Sequence, residues 1–216
     1  MKKIIIFVSF ILILSFIVLI HESGHLFAAL YLGYPVESFN IGMGKTLLEY
    51  NFQGILYNIN ILPLGGFVRL QAGFDYMNVN QFGYFIFLFS GLFLNITISL
   101  IVLRFNFKDF GQLVYRIITL KQPNLYEKYG YVVLVAYLSM YLFILNSLPL
   151  YPFDGGKIFL LFITNIFPNI NMENYKSITT VLALILVVYL MLPIKFKEML
   201  MSPFKKLIYF LKNINK

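Results

Sequence analysis

Residues 4–20 carry no charged side chain at all. A hydrocarbon core of ~30 Å takes about 20 helical residues to cross, and in lipid a helix satisfies its own backbone hydrogen bonds. The run continues to about Tyr31 and reads as a transmembrane helix. Lys2 and Lys3 ahead of it look like the start of a signal peptide. However, the run lacks a small-x-small cleavage site and contains the most chemically suggestive residues of the chain, so we read it as retained.

Three further apolar segments are long enough to be spans, giving four in all at about 4–31, 82–103, 130–149 and 177–194. The 216 residues are 60% hydrophobic and 12% charged, against about 45–50% and ~25% in an ordinary soluble domain. The expected fold is an all-α polytopic membrane protein with a small membrane-associated β-hairpin or sheet. Residues 1–194 form its core, and 195–216 form a basic amphipathic tail lying on a headgroup layer. Arg104, Lys108, Arg116, Lys121 and Lys128 mark 104–129 as a short hydrophilic link, too short for a domain. Residues 157–167 are apolar but short, either a continuation of the third span or a partly inserted helix. The net charge of +8 gathers at the edges of apolar runs, which suits anionic headgroups better than nucleic acid. With no cysteine, disulfides, thiolate zinc sites and thiol catalysis are excluded.

Residues 39–70 have a different pattern. Short β-prone runs are punctuated by Gly54, Pro63, Gly65 and Gly66, and Tyr57-Asn58-Ile59-Asn60-Ile61 alternates apolar and polar. Two readings stay open: a plain β connector, or an edge strand that pairs with an extended substrate. On the second, Asn58, Ile59, Asn60, Gly65 and Gly66 are the candidate substrate contacts.

The chemistry is concentrated in His21-Glu22-Ser23-Gly24-His25, which contains both histidines of the chain. Positions i and i+4 share a helix face, so two imidazoles can reach one metal ion while the neighbouring carboxylate takes a proton from water. An acid in an apolar helix is costly, by roughly 2.5 kcal/mol or more at mid-membrane, and is a functional candidate by default. A catalytic zinc needs three protein ligands. With no further His or Cys, the third must be a carboxylate. Asp154 is the acid at the broken end of the third apolar run, amid Pro149, Pro152, Gly155 and Gly156.

Together, His21 to His25 and Asn146 to Gly156 resemble the two signature motifs, HExxH and NxxPxxxxDG, of the site-2 protease family of intramembrane zinc metalloproteases. The resemblance implies that His21, His25 and Asp154 hold one catalytic zinc, that Glu22 is the general base, and that Asn146 contacts substrate backbone or the developing oxyanion. Ser90-Gly91-Leu92-Phe93-Leu94-Asn95 resembles the family's GxxxN segment, a spacing otherwise read as helix packing. Leu62 to Arg69 resembles the substrate-holding hairpin of the bacterial sigma-regulating branch. Residues 104–129 leave no room for that branch's PDZ domains, so no PDZ-mediated partner is expected and a PDZ-less bacterial member is implied.

The implied activity is hydrolysis of peptide bonds within or near transmembrane segments, in regulated intramembrane proteolysis or signal-peptide and pheromone processing. The substrate is a transmembrane peptide or single-span protein, and the setting a multi-pass protein of the bacterial inner membrane. Charge distribution puts both termini in the cytoplasm, whereas the family analogy puts them outside. A zinc-stabilised binder without activity would be expected to lack Glu22. A metal transporter would show repeated halves.

Overall fold

The structure, a computed structural model, describes residues 2–72, 74, 80–119, 125–167 and 171–191. The charge-free run forms one helix, α1 (Lys2–Tyr31). Two long strands follow, β1 (Val36–Phe52) and β2 (Ile55–Leu70), and then helix α2 (Gln81–Val102). The Asn80 side chain accepts from the Phe82 amide at 3.0 Å and so caps α2. Four further helices are α3 (Phe107–Ile118), the single turn α4 (Tyr126–Tyr129), α5 (Val133–Asn146) and α6 (Asp154–Ile166). A last one, α7 (Met172–Met191), ends the described chain.

α2 is the central helix, packed against α1, α5 and α6. Its buried stripe includes Gly83, Phe87, Gly91, Asn95 and Ser99, one residue every four, so a single face meets the neighbours. Small and polar residues on that stripe allow close backbone approach, as expected where apolar burial alone does not drive helix association. α1 and α2 meet at Gly24, where a Cβ would lie 2.6 Å from the Ser90 carbonyl oxygen. The stripe continues into α5, where the Ser99 hydroxyl donates to the Ala136 carbonyl at 3.1 Å and the Ser139 hydroxyl to that of Asn95 at 3.0 Å.

Among the described residues, two helices, at Val8–Tyr31 and Gln81–Val102, are long and apolar enough to cross a membrane. The run expected to span at 130–149 is helical by α-type bonds only over Val133–Asn146, with a 3₁₀ turn at Gly130–Val132. Its 14 residues rise about 21 Å, short of a full hydrocarbon core. α7 begins with polar turns, carries its last charge at Lys176 and becomes predominantly apolar only after Thr180. Residues 195–216 lie outside the described residues.

Residues 104–129 are more than the hydrophilic link expected of them. Asn106 accepts from the Asp109 amide at 3.1 Å and starts α3, whose Leu113 and Ile117 enter a core with Leu103, Val133, Ala136 and Met140. Buried Asp109 accepts from the Lys128 ammonium, and the Tyr129 hydroxyl lies 2.6 Å away. These two partners, Lys128 first, hold the Asp109 carboxyl below the usual carboxylate range. A carboxylate depressed in the folded state stabilises above its unfolded pKa of about 3.9, and that contribution is lost as pH falls through the folded value. Acidification through that window is therefore expected to leave amides across 103–118 exchanging faster relative to their intrinsic rates at that pH. Asp109→Asn is expected to show the faster exchange already at neutral pH, without the acid step.

Both strands are bent, and the register shows how. Residues 48–52 pair with 55–59 as a tight hairpin, from Phe52 opposite Ile55 to Leu48 opposite Ile59. Residues 38–41 then lie on the other side of 56–59, and 66–69 lie beyond 38–41. The fold-back occurs at Gly42, whose φ is 84° and whose Cβ would lie 2.5 Å from the Leu62 carbonyl oxygen. One face of the sheet is apolar, with Val36, Phe39, Tyr57 and Val68 packed on Leu26 and Phe87. The row of Glu49, Asn58, Asn40 and Phe67 lies on the opposite face, by the alternation of strand residues. There the amides form a ladder: Asn58 donates to Asn40 at 2.9 Å and Asn40 to Ser38 at 2.8 Å.

Candidate metal centre

The helical spacing of His21 and His25 turns both rings to the same side of α1, edge-on to each other, with centroids 4.9 Å apart. Asp154 reaches them from the first turn of α6. The Oδ2 atom of Asp154 is 3.2 Å from Nε2 of His21 and 3.2 Å from Nε2 of His25, and the two Nε2 atoms are 3.3 Å apart. All three residues are buried. Ligand atoms held at zinc distances in tetrahedral geometry lie about 3.4 Å from one another. This near-equilateral triangle of two nitrogens and one oxygen thus fits one zinc ion, and it is the group among the described residues that could hold a metal.

The surrounding partners favour metal-ready ligands. Nδ1 of His25 lies 2.8 Å from the Phe87 carbonyl, which can only accept, so the proton sits on Nδ1 and the Nε2 lone pair faces the triangle. The Asn95 carboxamide lies 2.9 Å from Nδ1 of His21. The atom facing the ring is Nδ2, with Oδ1 3.4 Å from the Ser139 hydroxyl; turned by 180°, the carboxamide would present its oxygen, accept the Nδ1 proton and leave the second Nε2 bare. The Lys157 ammonium pairs with Oδ1 of Asp154 at 3.2 Å, leaving Oδ2 to point into the triangle.

Two backbone features make room. Asp154 can approach because Gly155 and Gly156 pack directly on the chain before them, where a Cβ would overlap the Ser147 and Leu150 carbonyls. Gly91 sits beneath the rings. A Cβ there would lie 2.5 Å from Nε2 of His25 and 2.8 Å from Cε1 of His21.

The remaining candidates fall in two groups. Asn146 ends α5 with its Nδ2 3.4 Å from Nε2 of His21, beside the triangle. Glu22 is buried, and Gly66 lies against it: a Cβ at 66 would lie 2.7 Å from the Glu22 Cγ. Gly65 precedes this contact at the bend of β2, with φ 75°. Asn58 and Ile59 are farther into the sheet, with partners on both sides, 38–41 and 48–52. They are not an edge. The segment beginning at Gly66 has a strand partner on one side only among the described residues, and it is the one beside Glu22. Asn60 donates to the Gly42 carbonyl and accepts from Thr46. Oδ1 of Asn58 is buried without a partner.

Sequence reading missed Lys157, although an acid and a base three apart at a helix start are a recognisable pair. It also read Gly91 and Asn95 only as a motif or as packing. Asn95 is a positioning residue whose contact with His21 gives a test. Asn95→Ala should weaken zinc binding by about 10–100-fold in a chelator competition, the usual loss for such a partner, while leaving helicity unchanged. Unaltered affinity would remove Asn95 from the site.

A model of the family described as Peptidase family M50 matches residues 9–190. A Campylobacter jejuni protein named "Putative zinc metalloprotease" is 38% identical over 105 residues, covering 43% of this chain and 28% of the relative. Proteins with the same designation are similar in Helicobacter pylori (32% over 113 residues, 46% of this chain and 32% of the relative) and Chlamydia trachomatis (47% over 69 residues, 32% and 11%). The matched segments thus cover at most 32% of the length of these three relatives.

Proposed function

Because the chain belongs to peptidase family M50, we propose that it is a zinc metalloprotease that hydrolyses peptide bonds within or near transmembrane segments of membrane-anchored substrates. The observation that carries this reading is the triangle of His21, His25 and Asp154, with Glu22 and a strand edge beside it. When bound there, zinc supplies a Lewis acid that polarises the scissile carbonyl and acidifies water.

The side chains have distinct tasks. Lys157 and Asn95 hold two of the ligands in orientation. Glu22 accepts a proton from the attacking water, whose oxygen bonds to the carbonyl carbon. As the carbon–nitrogen bond breaks, Glu22 returns that proton to the leaving amine. Asn146 donates a hydrogen bond to the oxygen on which negative charge develops. A transmembrane helix hides its carbonyls in its own hydrogen bonds, so the substrate must unwind before it can react. The segment 66–70 takes the unwound stretch as an added strand, with Gly65 and Gly66 allowing it to pass close to Glu22. Asn58, Ile59 and Asn60 contribute through the sheet that supports this edge.

We place four spans, at α1, α2, the 130–146 stretch that joins the 3₁₀ turn to α5, and α7, in a multi-pass protein of the bacterial inner membrane. The substrate is a transmembrane peptide or single-span protein, and no PDZ-mediated partner takes part. The test is purified protein in bilayer discs with a membrane-anchored reporter, its products mapped by mass spectrometry. Cleavage near the reporter's span, abolished by chelation and restored by zinc, is expected. Cleavage only in a water-exposed domain would overturn the intramembrane assignment.

A further inference from the structure

Beside the metal centre, between α2, α6 and α7, lies a cavity of about 110 Å³, enough for three or four waters or one phosphate group. Tyr84, Tyr151, Lys157, Thr164 and Lys176 supply its polar lining, and the rest is mainly apolar. Among the described residues no carboxylate lines it. Two ammonium groups therefore share one small space in a chain with few charges. Lys157 has Asp154 as its partner on one side and has ammonium protons to spare. Lys176 lies over the Tyr151 ring, 5.8 Å from its centroid, and pairs with no carboxylate among the described residues. Like charges converging in a partly apolar niche repel each other and lose hydration, and an anion between them removes both penalties.

The position of the cavity indicates which anion. Tyr84 is in the first turn of α2, and Lys176 is in the polar start of α7, after which 177–191 carries no charge. The hydroxyl of Tyr175 donates to the Pro149 carbonyl at 2.9 Å, fixing α7 to the loop ahead of α6. Tyrosines and a lysine at helix starts are the signature of headgroup depth, and basic pockets between spans take lipid phosphates.

We propose that this niche binds the phosphate of an anionic phospholipid headgroup, between Lys157 and Lys176. The proposal rests on reading α7 as a span of the membrane. It adds a lipid ligand to the chain, one helical turn from the residue that would hold the metal.

The experiment uses the full chain in bilayer discs of phosphatidylcholine, with or without phosphatidylglycerol, and counts lipid retained after extraction by native mass spectrometry. Phosphatidylglycerol should be retained over phosphatidylcholine. K176Q should lower that retention about fivefold, the factor removal of one interfacial lysine carries. K108Q, at an exposed lysine of α3 outside the niche, should not. Equal retention in K176Q, or equal loss in K108Q, would overturn the site, the latter by showing diffuse attraction. Stabilisation of detergent-solubilised protein by inorganic phosphate, with no preference among lipids, would overturn the lipid assignment. So would displacement of phosphatidylglycerol by a peptide bearing a free C-terminal carboxylate but not by its amide. Zinc content is measured in parallel. Its absence from the parent chain would count against the protease reading and leave the lipid result standing.

Discussion

Glu22→Gln protein is expected to carry zinc as the parent does and to cleave a membrane-anchored reporter at least ~100-fold more slowly, toward ~10,000-fold if proton transfer limits the rate. The amide keeps the shape of Glu22 and its packing against Gly66 but cannot accept the water proton. None of the three triangle atoms belongs to it, so the metal count should hold. The measurement pairs metal analysis with initial cleavage rates on one preparation. Unchanged hydrolysis by protein free of other proteases would remove Glu22 from the mechanism. Loss of zinc together with activity would show that it helps hold the metal.

The second large effect comes from a single methyl group. Gly91→Ala adds a carbon 2.5 Å from Nε2 of His25 and 2.8 Å from Cε1 of His21, well inside van der Waals contact. Either both rings move away from Asp154 or α2 separates from α1. A ligand displaced by about an ångström no longer fits tetrahedral zinc, so affinity should fall by at least ~100-fold, with activity following it. Gly111→Ala is the matched control. It is also in a helix, α3, but a Cβ there meets nothing within 4 Å, so zinc binding should not change. The added methyl should stabilise that helix by roughly 0.5–1 kcal/mol. Parent-like zinc affinity in the Gly91 variant would mean that α1 and α2 are spaced more widely than described.

Gly91 shows where sequence reading stops. The Gly91 and Asn95 spacing is visible in the chain, but spacing on one helix does not say what the next helix brings against it. Only the α1–α2 crossing, at Gly24 and Ser90, puts the two imidazoles over Gly91 and the Asn95 amide beside His21. The β region gives the same lesson. Alternation in 57–61 identified a strand, because side-chain direction along one strand has period two. Its neighbours were not legible. The reversal near Gly42 puts Asn58 and Ile59 inside the sheet and leaves 66–70 as the edge next to Glu22. Asp109 would also have been misread, as one more charge on a solvated link, because its partners come from a turn some twenty residues away.

Residue identity and local spacing determined much on their own: an apolar helix carrying both histidines at i and i+4, an acid between them, and Asp154 at a Pro/Gly-broken helix start. These depend on covalent order, helical period and the scarcity of metal-binding side chains, all of which a sequence states directly. Tertiary structure decided the rest. It closed the 3.2–3.3 Å triangle, gave His25 the Phe87 carbonyl that directs its proton, and set Lys157 against Asp154. It also turned one strand edge toward Glu22. Each of these is a distance between segments far apart in the chain, set by how closely small residues let helices and strands approach, and no local pattern encodes it.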